Sequence, residues 1–170
     1  RATTSMYILH IENGSVTIRG GTAGTKKPGL IGTYVARCIY LESGRLSIDT
    51  NNDTVFRGGR VADVYGGELS ISGGTFENSI FVYNPAATLS ISGGNFEKNV
   101  NISARGENAC NMEITGGEFL SRLTNTDKTA FVKGGTFHYL KMPKDEYIHP
   151  EYHKVEATIT REGQTEKAYR

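Results

Sequence analysis

Long hydrophobic runs are missing from this chain. No apolar stretch exceeds four residues, as in Ile80-Phe81-Val82-Tyr83. A membrane-spanning helix needs about 18 or more apolar residues in a row, so no membrane insertion is expected. An excess of charge is missing too. Nineteen Lys plus Arg stand against 18 Asp plus Glu, a formal net charge of +1. That balance carries no electrostatic footprint for nucleic acid or for an anionic membrane, and neither partner is expected. Cysteine is scarce: Cys38 and Cys110 are too few for a disulfide scaffold and lack the CxxC spacing of a structural zinc site. Only four prolines are present, and the glycines follow no collagen triplet. The opening Arg-Ala-Thr-Thr-Ser lacks a charged region leading into an apolar one. The expectation is therefore a chain already processed, or a fragment of a larger protein.

What is abundant is glycine, 21 of 170 residues, against an average of roughly 7%. With many Ser, Thr and Asn, it suggests short strands joined by many turns. The glycines also mark an internal repeat. Leu69-Ser70-Ile71-Ser72-Gly73-Gly74-Thr75-Phe76 is nearly reproduced at Leu89–Phe96, and more loosely at Met112–Phe119 and Ala130–Phe137. Degenerate copies begin at Val16 and Leu46. With Gly20, Thr50, Gly73, Gly93, Gly116 and Gly134 as phase markers, the intervals are 30, 23, 20, 23 and 18 residues. Such units are too short for tetratricopeptide or ankyrin repeats, and the leucine-rich pattern is absent. A parallel β-helix coil remains.

The phase makes the assignment residue by residue. Four and two residues before the markers lie Val16/Ile18, Leu46/Ile48, Leu69/Ile71, Leu89/Ile91, Met112/Ile114 and Ala130/Val132. Apolar residues two apart with polar ones between predict half-buried strands. Phe76, Phe96, Phe119 and Phe137 follow three after the marker, with Ala23 and Asp53 in the Phe position of the first two copies. Ile80, Val100 and Leu123 follow seven after it. Stacked at about 4.8 Å, these positions predict aliphatic and Phe ladders. Gly-Gly predicts a sharp corner between them, and Lys26-Lys27-Pro28-Gly29 an insertion at an edge. The expected fold is all-β: a right-handed parallel β-helix (solenoid) of about six coils with a C-terminal cap. Residues 1–137 would hold the coils and 138–170 a cap and tail, within one domain. Glu162 to Arg170 have little to bury and are expected to fray or to belong to a following domain.

These Ile-Ser/Thr-Gly-Gly-Thr/Asn-Phe coils resemble those of bacterial cell-surface and secreted proteins of the right-handed β-helix, pectate-lyase-like superfamily. The resemblance spans about residues 8 to 157. It implies an extracellular or bacterial cell-surface location and neighbouring domains in a larger chain. It specifies no activity, because one superfamily carries many functions.

Enzymes on such a fold usually need a carboxylate cluster on one face. The five aspartates, Asp49, Asp53, Asp63, Asp127 and Asp145, fall by phase on different faces or at an end. No Gly-x-Ser-x-Gly elbow or phosphate loop is present. Asp49-Thr50-Asn51-Asn52-Asp53 begins like a calcium loop but lacks its later Gly and bidentate Glu, and reads better as a polar turn. His149-Pro150-Glu151-Tyr152-His153 reads as ordinary cap residues. No catalytic residue, metal site or cofactor is therefore expected.

Residues three and one before the marker should face outward: Thr17/Arg19, Ser47/Asp49, Ser70/Ser72, Ser90/Ser92, Glu113/Thr115 and Phe131/Lys133. The one aromatic constellation comes from Ile39-Tyr40, Val64-Tyr65 and Val82-Tyr83. With the aliphatic residue inward, Tyr40, Tyr65 and Tyr83 point outward in successive coils and are the candidate ligand-binding residues. Stacking for its own sake is the simpler explanation of such a column. The expected function is a non-enzymatic adhesion or ligand-display module with a glycan or a host or cell-surface protein as partner. The alternatives are a carbohydrate-binding module, or a polysaccharide lyase or hydrolase.

Overall fold

The computed structural model describes residues 7–19, 30–32, 37–57, 59–97, 101–104, 111–120, 122–125, 130–161 and 163–170. Short alternating segments become short strands, which the chain visits three at a time. The first round is β1 (Tyr7–Ile11), β2 (Ser15–Arg19) and β3 (Leu30–Gly32). Next come β4 (Arg37–Leu41), β5 (Arg45–Asp49) and β6 (Val55–Arg57), then β7 (Arg60–Val64), β8 (Glu68–Ile71) and β9 (Thr75–Phe76). They are followed by β10 (Ile80–Val82), β11 (Thr88–Ile91) and β12 (Asn95–Phe96), then β13 (Asn101–Ala104), β14 (Asn111–Ile114) and β15 (Glu118–Phe119). The chain continues through β16 (Arg122–Asn125), β17 (Thr136–His138), β18 (Glu156–Arg161) and β19 (Gln164–Tyr169).

These strands form three separate sheets: β1-β4-β7-β10-β13-β16, β2-β5-β8-β11-β14, and β3-β6-β9-β12-β15-β17-β19-β18. The first two sheets are parallel. The third is parallel as far as β17, then reverses, because β19 pairs antiparallel with both β17 and β18. The all-β character and parallel stacking follow the expectation. The assembly is three sheets of mixed strand direction and not one uniform six-coil solenoid.

Like residues stack on like in the second sheet. Val16, Leu46, Leu69, Leu89 and Met112 form one register column, and Ile18, Ile48, Ile71, Ile91 and Ile114 the next. In the third sheet the rings of Phe56, Phe76, Phe96, Phe119 and Phe137 stack at 5.0, 4.9, 4.7 and 4.7 Å. All three columns close on the same interior, so most of these side chains are buried.

Each glycine of the Gly-Gly corner has its own cause. A Cβ on the first would strike the previous round's backbone: on Gly93 it would lie 2.2 Å from the Ser72 carbonyl oxygen, and on Gly116 2.2 Å from that of Ser92. The second takes a positive φ, +98° at Gly74 and +100° at Gly94, which only glycine adopts at no steric cost. A parallel device at the other corner, Gly14, Gly44 and Gly67, escapes the repeat reading. A Cβ on Gly67 would lie 2.2 Å from the Gly44 carbonyl oxygen.

Several fixed-offset expectations fail where a corner changes length. Asp53 is not in the Phe position. Asn51-Asn52-Asp53 form an extra turn, and Phe56 pairs with Phe76 instead. Ile80 pairs with Ile102 and then Leu123, so Ile102 takes the place assigned to Val100. Val100, like Gly20, Ala23, Lys26-Lys27-Pro28-Gly29, Cys110 and Asp127, lies outside the described residues. Phe131, expected outward, is buried and packs 4.7 Å from the Tyr147 ring. Ala130 leaves the strand conformation with φ +56°. The tail does not fray: residues 164–169 are β19, and Ala168 is fully buried against Ile159 and Leu120. Between Phe137 and this hairpin, Ile148 makes one parallel bridge with Val132, extending the isoleucine column before the chain turns back.

Candidate functional site

Among the described residues, the outer face of the first sheet carries a contiguous row of aromatic residues. Alternation in β4 buries Ile39 and Leu41, leaving Tyr40 half-exposed between them. Tyr40 is in register with His10, Asp63 and Phe81. Tyr65 and Tyr83 sit two register positions later, just past the ends of β7 and β10. The Tyr65 amide donates to the Leu41 carbonyl and the Tyr83 amide to that of Val64.

The three tyrosines singled out from sequence stand together despite that offset. Ring centroids are 5.1 Å apart for Tyr40 and Tyr65, and 4.6 Å for Tyr65 and Tyr83. Tyr7 extends the row, 4.6 Å from Tyr40, and His10 meets Tyr40 edge-on at 4.8 Å. No sequence signal marked Tyr7, because its round has no aliphatic-Tyr pair at the matching corner. Burial is the main cause that raises the Tyr40 phenol above its ordinary pKa, with the Glu42 carboxylate second.

Ring orientation limits what the row can do. Tyr65 and Tyr83 lie nearly face to face, at 15°. The face between them is consumed, so ring edges and hydroxyls are what they offer outward. Even the Tyr83 hydroxyl has a partner, the Arg60 Nη1 at 2.6 Å.

Beneath the rings lies an ion pair whose acid is buried. Asp63 is fully buried although it occupies an outward register position, and its Oδ1 lies 3.3 Å from Arg60 Nη1. The Tyr83 hydroxyl is 3.4 Å from the same oxygen. The Arg60 guanidinium also lies over the Phe81 ring at 4.9 Å, a cation–π placement. Charge, phenol and ring thus hold one another in place.

The second sheet's outer face is chemically different. Ser47, Ser70 and Ser90 align in register. Farther along, the Ser72 hydroxyl donates to the Ile48 carbonyl at 3.2 Å and to Asp49 Oδ1 at 3.0 Å. The Ser92 hydroxyl donates to the Ile71 carbonyl at 3.4 Å. These hydroxyls reinforce the ladder between rounds.

The remaining sequence candidates take ordinary positions. Within the Asp49–Asp53 segment, the Thr54 amide donates to the Asn51 carbonyl at 3.2 Å, closing the extra turn. His149 meets Tyr152 edge-on at 5.7 Å within the C-terminal segment. No family model matches the chain, and no curated protein or solved structure matches it.

Proposed function

We propose that the chain is a ligand-display module built on a right-handed parallel β-helix of the pectate-lyase-like kind, closed by the C-terminal hairpin, and that it works without catalysis at the surface of a bacterial cell. The observation that carries this reading is the contrast between its two outer faces. The second sheet presents serines that bond to their own neighbours. The first gathers Tyr7, Tyr40, Tyr65, Tyr83, Phe81 and Arg60 into one strip. Rigid aromatic residues concentrated on one face suit recognition, since they supply contact area at little entropic cost. A non-catalytic role is supported by the pairing of three described acids with arginines. Asp63 is held by Arg60, Glu68 by Arg45 at 2.8 Å, and Glu77 by Arg57. A carboxylate held by a cation is poorly placed to shuttle protons.

A carbohydrate ligand is the second reading, and the ring geometry shapes it. Tyrosine faces that stack on one another leave edges and hydroxyls, so sugars would be bound by hydrogen bonds to hydroxyls more than by stacking on ring faces. The test is retention of the purified chain on a glycan array and on immobilised host surface proteins, with Tyr65→Ala beside it. Retention that falls severalfold in the variant supports the reading. Absence of retention on every surface, or equal retention by the variant, overturns it. Unsaturated or reducing products from uronate polymers would overturn the non-catalytic role.

A further inference from the structure

At the N-terminal foot of the tyrosine row, the fold brings together His10, Glu12 and Glu42, residues from two successive rounds. We infer that these three side chains form a binding site for one divalent transition-metal ion, with Zn2+ as its simplest occupant.

The donor geometry comes first. His10 Nε2 lies 3.2 Å from Glu42 Oε2 and 3.9 Å from Glu12 Oε1. All three donor atoms lie within 4.8 Å of one another. Bonds of about 2.0–2.2 Å at tetrahedral angles place two ligands roughly 3.4 Å apart. The two histidine–glutamate distances bracket that value, so small side-chain rotations admit an ion. One imidazole with two carboxylates is a donor set that zinc accepts.

Backbone register brings the three residues to neighbouring positions. Ile11 pairs with Leu41 in the parallel ladder, and the Glu42 amide donates to the Ile11 carbonyl at 2.8 Å. Glu12 and Glu42 follow directly, so the fold stacks two carboxylates on neighbouring strands. Like charges placed opposite one another in a sheet are destabilising. A cation between them reverses the sign of that interaction. Among the described residues of this face, only here does the register align two acids beside a histidine.

The third support is orientation of the imidazole. His10 is in register with Tyr40, and their rings meet edge-on at 82°. Tyr7 flanks the His10 ring from 6.0 Å. A ligand whose ring is held from two sides loses less freedom when it binds a metal. All three side chains keep substantial exposure, Glu12 most of all, so the ion's remaining positions open to water. An exposed carboxylate or hydroxyl of a bound molecule could occupy them. The proposal stands whether or not the tyrosine row binds a ligand.

The experiment is isothermal titration of the untagged, metal-free 170-residue chain with ZnCl2, repeated with Co2+ to read visible absorption. His10→Gln, Glu12→Gln and Glu42→Gln are the site variants, and His149→Gln is the control. The expected result is one Zn2+ per chain, with affinity weakened about tenfold or more by His10→Gln and by Glu42→Gln. His149→Gln should bind as the parent does, and Co2+ absorption bands should vanish in His10→Gln. The three site positions are exposed, and urea midpoints equal to the parent's confirm that each variant is folded. No saturable binding by the parent, unchanged affinity in His10→Gln, or loss of binding in His149→Gln alone would each overturn the site.

Discussion

Two columns of aromatic rings run along the same stack, and they obey different rules. In the third sheet, the four steps from Phe56 to Phe137 have interplanar angles of only 3° to 9°. In the row from Tyr7 to Tyr83 on the first sheet's outer face, the steps tilt by 45°, 37° and 15°. Spacing is nearly equal, although every phenylalanine step follows the strand register and, in the tyrosine row, only the step from Tyr65 to Tyr83 does. Surroundings differ. The phenylalanines are packed on every side, so only one orientation fills the space. The tyrosines have water on one side and can tilt, and their hydroxyls seek partners such as Arg60. Strand spacing makes a ladder; burial makes it regular.

The comparison can be broken first at its closed end. The antiparallel partner of Phe137 is Tyr169 in β19. Removing residues 164–170 uncovers β17's edge and the ring below it, and leaves β18 without its pair. Light scattering after size exclusion should show aggregation or loss of soluble monomer. A monomer as stable as the parent would show that the hairpin does not close the stack. Next, Phe96→Ala should lose about 3–5 kcal/mol in urea melts. Its ring lies between two others, and a loss near that of a surface substitution would refute close packing. Gly93→Ala probes the corner that aligns the column. With the Ser72 carbonyl oxygen 2.2 Å from the new Cβ, overpacking should cost about 1–3 kcal/mol. A neutral change would mean that the rounds can separate without penalty.

Tyr65→Ala should lose only about 1 kcal/mol, because the exposed row contributes little beyond ring pairing. A loss matching Phe96→Ala would erase the distinction between the two columns. The smallest effect concerns Cys38, buried two residues before Tyr40. Burial pushes its thiol up from 9.0 to about 11. The folded thiol therefore stays protonated where the unfolded one ionises. Its contribution to stability is intact below pH 9 and declines as pH rises from 9 towards 11. Thiol labelling at pH 8 should be slow for native Cys38 and fast in urea. Equal rates would place Cys38 at the surface.

Much of the stack was legible because repetition is a sequence property. Leu69, Leu89 and Met112 announced their pairing through identical flanks, and four of the five stacked phenylalanines shared one offset from the glycines. Phe56 was hidden by three extra residues at its corner. Ile102 was hidden behind Val100, since a two-residue slip leaves both apolar patterns plausible. Phe131 alternates as an outward residue, yet Tyr147 from the later segment covers it. Of the aromatic strip, Tyr40, Tyr65 and Tyr83 were visible because each follows an aliphatic residue. Tyr7 was not, and neither were His10, Glu12 and Glu42, whose meeting depends on 30-residue spacing between rounds.

The amino-acid order alone determined the strand periodicity, the sites of the glycine corners and the identity of the main buried columns. These are local facts: alternation selects a strand, and a residue without Cβ selects a corner. Tertiary structure alone decided which round each outer residue meets, how far each ring tilts and where the sheet reverses. Those outcomes depend on accumulated loop lengths and on how many sides of a side chain other atoms cover, and both are set only when distant rounds come into contact.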